Sequence, residues 1–445
     1  MTDQAYPGGA RGPSLPNSPR DGEAVPRIGA MRAGAGTTVG AALAVVLLCG
    51  ACSSPGDDLP AVPAAGETMG EAELADAAVD LVEERDAALA GGDREAFMAT
   101  VDDDELGFTA TQQRWFDNLA AMPVTDLALA PAGDPEARTD GDVELPVDFT
   151  MRLDGFERRS VTQRLTYTVR QGDDGGAVLV ADRDADRDKK AGWLPDPWDV
   201  TAVEVRESGS ILALFDEETS PYADAVMEDL EASQRTVLAA VPGWSGQLVA
   251  YDISDLTALE ERTPMELWET GGVAYPVPVR ESSSKVAAYR FIVNPEVVHN
   301  GLQRDSLLRH ELTHVALAER DDASPRWLVE GAAEYVSRSE QTVEEQRALA
   351  AYIARYVGIT DPVLVDDPAA FYSSPDVNYE MAAIACSFLA DTRGPEVLWA
   401  LMDDFTADRS QPGALSSARV DEVVRREVGL DTDQLAQLAL AWALG

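Results

Sequence analysis

The segment LLRHELTHVAL, residues 307–317, carries the pattern H-E-x-x-H in His310, Glu311 and His314. Side chains four apart on a helix stand on one face, one above the other. Both imidazoles can therefore turn a ring nitrogen toward one metal ion, with Glu311 beside them in reach of a water on that ion. Leu307, Leu308, Leu312 and Val315 give such a helix an apolar back. At this composition the pattern arises by chance in fewer than about one chain in a hundred. The chain has only 3 histidines, and two of them stand at this spacing.

A catalytic ion of this kind takes three protein ligands and keeps one position open. No histidine follows the motif, so the third ligand must be an acid. PRWLVEGAAEYV (325–336) offers two, Glu330 and Glu334, four apart on one face of a second predicted helix. Ser324 is placed to cap that helix, and Pro325 to occupy its first position.

Together, HELTH and WLVEGAAEY resemble the gluzincins, and most closely the peptidase-MA-like family. The resemblance covers residues 220–445 and implies a zincin-like domain that hydrolyses peptide bonds. It implies Zn2+ as cofactor, with Glu330, the acid before Gly331, as third ligand beside His310 and His314. Glu311 is then the general base: it takes a proton from the attacking water and delivers it to the leaving amine. Glu334 is left to a supporting or surface role. The likeness further implies a tyrosine at the head of a later helix, VNYEMAAIACSFL (377–389), which makes Tyr379 the expected oxyanion donor. It also implies that the strand KVAAYRFIVN (285–294) borders the cleft and pairs with an extended substrate. Gly331 is expected to let the two motif helices approach closely, with Trp327 and Leu328 packing between them. His299 reads as loop packing and Cys386 as a small buried residue.

Around the motif the chain divides into blocks. The block 220–445 opens with a helical segment, ADAVMEDLEASQRTVLAAV (223–241), followed by the strand-like QLVAYDI and GGVAYPVPV. From Ser306 it reads helical almost to the end, with breaks near Ser324-Pro325, Asp361-Pro362 and Pro412-Gly413. The block 71–215 starts with helical periodicity at Leu74, Ala77, Ala78, Leu81 and Val82. After Pro123 it changes to alternation, in DVELPVDFTMRL, RRSVTQRLTYTVRQ and GAVLVADRD, with VTAVEVRES and SILALFD as its last two strands. Helices followed by strands predict an α+β domain with one sheet face covered. The pattern resembles the NTF2-like fold, with GGDREAFMATV (91–101) as the best local match. The alternating acids Asp182, Asp184, Asp186 and Asp188 suggest a calcium loop, but Arg187 and Trp193 stand where such a loop needs Gly and Glu. A solvated turn is expected instead.

The N-terminal part reads as an export signal. Residues 1–32 are rich in Pro, Gly and Arg, and no charged residue occurs from Ala33 to Gly56. The apolar centre AALAVVLL (41–48) leads to small residues before Cys52. The segment 1–52 resembles a bacterial lipoprotein signal in which Cys52 is lipidated. A start at Met31 gives a more compact version of the same signal, and an uncleaved membrane helix is the competing reading. Free secretion is a third reading. All three place the body outside the cytoplasm, and the first two hold it at the outer face of the bacterial cell membrane, since arginines precede the segment and acids follow it. Residues 53–70 read as a flexible tether.

Composition sets the bounds. The chain has 445 residues, 45% of them hydrophobic, enough for two or three domains. Basic residues number 35 and acidic residues 79, a net charge of −44. This excludes a nucleic-acid partner, which needs a basic footprint, and docking of the folded body on anionic lipid. It predicts that acidic peptides are poor substrates. Cys49, Cys52 and Cys386 allow neither a disulfide framework in the body nor a Cys-rich zinc site. The expected partner is a peptide or protein substrate. The competing function is a non-catalytic envelope binding or scaffolding lipoprotein with a structural or idle zinc site, in which Glu311 would have no use.

Overall fold

The computed structural model describes residues 68–262, 270–281, 283–301, 304–408 and 415–445. Three helices come first: α1 (Glu71–Gly91), α2 (Arg94–Ala99) and α3 (Leu106–Ala121). The alternation after Pro123 forms β1 (Val124–Pro131), β2 (Glu136–Ala137), β3 (Val143–Leu153), β4 (Val161–Gln171) and β5 (Ala177–Ala181). These make an antiparallel sheet in the order β1-β3-β4-β5, with β2 paired to β3. In β3 every second residue, from Val143 to Leu153, is buried, as expected of a strand with one covered face.

Two short helices follow, α4 (Ala185–Lys190) and α5 (Pro197–Val200). The run of alternating aspartates is therefore a helical turn and not a solvated loop. Asp184 caps it by accepting from the Arg187 amide at 3.0 Å, and the buried Asp188 accepts from Thr166 Oγ1 at 2.6 Å.

The second sheet contains β6 (Glu204–Ser208) and β7 (Ile211–Phe215), then, after α6 (Ala223–Ala240), β8 (Leu248–Asp252), β9 (Gly272–Pro278) and β10 (Val286–Val293). Its order is β6-β7-β8-β10-β9. β7, β8 and β10 run parallel, and the two edge strands run antiparallel to their neighbours. Segments 204–208 and 211–215 are strands, as read from sequence, but they pair into this second sheet and not the first. The reason lies in ILALF and LVAYD, which are buried at every position. That is the texture of parallel strands covered on both faces, and an unbroken apolar run does not say which sheet it joins. Ile211, Ala213 and Phe215 face the helical core, while Leu212 and Leu214 face the core of the first sheet.

The first block is also tied to β10 by charge. Arg290 is 1% exposed and pairs with Glu157 at 2.6 Å and Asp196 at 2.9 Å. The described residues fall in one compact unit.

The rest is helical: α7 (Pro295–Val298), α8 (Arg304–Leu317), α9 (Glu319–Ala323), α10 (Arg326–Ser337), α11 (Val343–Val357), α12 (Pro368–Tyr372), α13 (Pro375–Arg393), α14 (Glu396–Asp408), α15 (Ser417–Val428) and α16 (Thr432–Leu444). The breaks at Ser324-Pro325 and Asp361-Pro362 fall between helices as expected. Pro412-Gly413 lies outside the described residues. The chain is thus a mixed α+β part with two sheets, followed by a largely helical part. Among the described residues no helix is long and apolar enough to cross a membrane. The apolar segment 33–56, with Cys52, lies outside them.

Candidate metal centre

α8 presents two faces. Leu308, Leu312 and Val315 are buried in the helical core, where α6 packs on this helix. His310, Glu311 and His314 face a cleft of about 480 Å³, lined across from them by Gly272–Pro276 of β9. The strand expected at the cleft was 285–294. That segment, as β10, does border the cleft through Tyr289, but it is an interior strand, paired with β8 at Arg290–Ile292 and with β9 from Val286 to Val293, so the sheet edge that a substrate could join is not its own. The edge belongs to β9, whose Pro276 and Pro278 lack amide protons and fit only an edge position.

α10 carries the third group. Its first amides, from Arg326 and Trp327, donate to the carbonyls of Asp366 (3.1 Å) and Val365 (3.2 Å). Pro325 is the cap residue, and Ser324 makes no capping bond; the 365–366 backbone takes the part expected of Ser324. Gly331 does serve close approach, but to α13 and not to α8. A Cβ there would lie 2.4 Å from the Ala382 carbonyl oxygen and 2.6 Å from Cys386 Sγ. Cys386 is buried, as expected, and burial pushes its thiol pKa up.

His310, His314 and Glu330 converge. The two Nε2 atoms are 3.2 Å apart, and Glu330 Oε2 lies 3.4 Å from His310 Nε2 and 3.5 Å from His314 Nε2. A tetrahedral ion with bonds of about 2.0–2.1 Å has ligand–ligand edges of about 3.3–3.4 Å, so the triangle already has the size such an ion needs. Two further observations fit a cation. Glu330 Oε2 is buried and accepts no hydrogen bond. Each imidazole also offers its other nitrogen to a carboxylate: His310 Nδ1 is 3.2 Å from Glu334 Oε1, and His314 Nδ1 is 2.7 Å from Asp321 Oδ2. A carboxylate only accepts, so Nδ1 carries the proton in both rings. In neutral rings both Nε2 lone pairs then face each other, an arrangement that a shared cation satisfies.

The protonation energetics of the site agree. Burial opposes charge on His310, but Glu330 and Glu334 outweigh it and raise its pKa to about 10. Burial likewise opposes charge on His314, and Glu330 and Asp321 raise its pKa well above the ordinary value. Glu330 is held well below the usual range against burial, chiefly by His314 and then His310. Glu334 falls to about 2, held by His310 and Arg338 against burial. A set that holds protons this firmly between acids is one that a dication would occupy in their place.

Glu311 is different. It is 9% exposed, lines the cleft and makes no side-chain hydrogen bond to a described residue. Burial raises its pKa, partly offset by His310 and His314. Such a carboxyl can take and return a proton nearer neutral pH than an exposed one.

Tyr379 stands at the cleft, its ring centroid 6.2 Å from that of His310. Its hydroxyl makes no hydrogen bond to a described residue, and burial raises its pKa. Tyr372 lines the same cleft, and its hydroxyl donates to Glu330 Oε1 at 2.8 Å. The buried Phe371 packs edge-on against both rings, and Asn378 donates to the Phe371 carbonyl at 2.7 Å, tying α12 to α13. His299 is remote from the cluster. Its Nε2 bonds Asp252 Oδ2 at 2.8 Å, and its ring stacks on Tyr222.

Sequence reasoning missed Asp321, Tyr372 and Arg326, whose Nη1 lies 3.5 Å from both Asp321 and Glu330. Asp321 reaches His314 because the chain reverses at Ala318, a non-glycine residue at φ +52. No periodicity announces such a turn.

Fold and cluster define a mixed α+β protein with a His–His–Glu group fit for a divalent ion. The chain matches no protein-family model and no curated protein.

Proposed function

We propose that this protein is a zinc-dependent peptidase of the gluzincin type, with a zincin-like catalytic part and an NTF2-like N-terminal part. We further propose that it is held at the outer face of a bacterial cell membrane by a lipid on Cys52 or by an N-terminal helix. The observation that carries the peptidase reading is the 3.2–3.5 Å triangle of ligand atoms with, in the same cleft, a buried Glu311 that makes no side-chain hydrogen bond to a described residue. Two imidazoles and one carboxylate with an open side are the donor set of catalytic zinc.

Bound there, zinc would acidify a water and polarise a carbonyl. His310, His314 and Glu330 would hold the ion, while Glu334 and Asp321 fix the two rings. Glu311 accepts a proton as a peptide carbonyl is attacked and returns it to the departing amine. The Tyr379 hydroxyl, which has no hydrogen-bond partner among the described residues, can donate to the oxygen that gains charge. The open edge of β9 can align an extended peptide.

The test is metal analysis of the purified protein together with a peptide-library digest, with and without chelator. The reading expects about one zinc per chain and cleavage that chelator abolishes. Glu311→Gln should keep the zinc and lose about 10²–10⁴-fold in rate. A wild type that binds zinc and cuts no peptide would turn the assignment toward a binding or scaffolding lipoprotein.

A further inference from the structure

A second cavity, of about 650 Å³, adjoins the metal cleft and shares Tyr275 and Pro276 of β9 with it. It is a built groove. The Thr162 amide of β4 donates to the Val279 carbonyl at 2.9 Å, joining the first sheet to the end of β9. On the far wall Glu281 packs over Gly192, which at φ +86 leaves no room for a Cβ. The first block therefore supplies one side of a channel that continues the cleft along the same edge strand.

The charge of this channel runs against that of the molecule. Its charged lining is Arg164, Lys189 and Arg280 against Asp148 and Glu281, a local sum of +1 in a chain of −44. Asp148 serves two guanidiniums, taking Arg164 Nε at 2.7 Å and lying 3.3 Å from Arg280 Nη2. The Arg280 side chain remains 58% exposed. At physiological salt, charges beyond about 8 Å are largely screened, so a bound chain senses these groups more than the distant acids. Ala274, at the metal cleft, and Arg280 are six residues apart, about 20 Å of extended strand.

We propose that this groove is an extension of the substrate site that selects an acidic stretch of an extended peptide, about four to six residues to one side of the bond cut. It reverses, for that one side, the expectation that acidic peptides are disfavoured. It rests on the peptidase reading for the substrate site and the bond cut, whereas the groove's preference for an acidic stretch is read by binding alone.

The test uses fluorescein-labelled dodecapeptides with one neutral core and a three-residue block of Glu, Gln or Lys at either end. Binding is read by anisotropy at physiological salt, on the zinc-loaded and the chelator-treated protein. The Glu block should bind about fivefold tighter than Gln at one end and not at the other. Arg280→Glu combined with Lys189→Glu should turn that preference toward Lys, with zinc content and Tm unchanged. Equal binding of Glu and Gln blocks at both ends, or a preference that survives the charge reversal, overturns the proposal. Cleavage indifferent to the block sinks the groove assignment alone. A Glu preference with no zinc-dependent cleavage sinks the peptidase reading and leaves the groove.

Discussion

His314 Nδ1 lies 2.7 Å from Asp321 Oδ2, on the side of the ring away from the ligand triangle. The carboxylate fixes the tautomer, aims Nε2 at the ion position and makes the ring a stronger donor. Asp321→Asn keeps an acceptor oxygen and removes the charge, while Asp321→Ala removes both. Zinc affinity should fall in that order, the Ala variant losing about 10- to 100-fold in competition with a chromophoric chelator. Unchanged affinity in both would mean that packing alone orients His314.

Tyr372 and Tyr379 share the cleft but do different work. The Tyr372 hydroxyl is spent on Glu330, whereas that of Tyr379 has no partner among the described residues. Tyr372→Phe should weaken zinc binding several-fold while kcat at saturating zinc stays within about threefold. Tyr379→Phe should leave zinc affinity alone and lower kcat about 10²–10³-fold, the usual cost of an oxyanion donor. Equal behaviour of the two variants in both assays would remove Tyr379 from the mechanism.

The part of the site that was legible in sequence is the part written in local spacing. His310, Glu311 and His314 lie within five residues on one helix, and Glu330 sits on the next long one. The α+β order and the helical run, read from Ser306 and found from Arg304, were legible for the same reason, since periodicity is a local signal. What escaped depended on contacts between distant segments. The partner sheet of Ile211–Phe215 is chosen by burial on both faces, and β9 rather than β10 is the edge because of strand order. Gly331 meets α13 because α8 and α13 pack on different sides of α10.

Gly331 lies where α10 and α13 touch backbone to backbone. A methyl group there would stand 2.4 Å from the Ala382 carbonyl oxygen, and neither helix can yield without shifting. Gly331→Ala should therefore destabilise the protein by about 1–3 kcal/mol, despite the better helix propensity of alanine. Because Glu330 is the adjacent residue, zinc affinity should fall as well. Thermal unfolding and chelator competition on the same sample test both, and a gain in Tm would contradict the packing.

Arg290 is ion-paired with both Glu157 and Asp196, all three at most 3% exposed. Removing the guanidinium strands two buried carboxylates, and breaking such a group costs about 3–5 kcal/mol. Arg290→Met should lose that much in urea unfolding. The triple variant that also carries Glu157→Gln and Asp196→Asn should recover a good part of it, because no unpaired charge then stays buried. If the single and triple variants are equally unstable, the network's worth lies in packing and not in charge compensation.

Asp366 gives a pH dependence with a definite sign. Burial raises its pKa from 3.8 to about 6, with a hydrogen bond from Ser417 opposing and Asp421 adding to the rise. Its Oδ1 has no hydrogen-bond partner. A carboxyl with a raised folded pKa binds its proton more tightly when folded. Its favourable contribution is therefore complete below about pH 4 and is lost as pH rises through about 6. Asp366→Asn removes the buried charge and keeps the backbone carbonyl that accepts from Arg326. The variant should match wild type near pH 4 and exceed it at pH 7–8 by about 1 kcal/mol, a value reduced for partial solvent screening. Urea unfolding across that range tests it, and a variant less stable than wild type at pH 8 would show that the ionised carboxylate is stabilising where it stands.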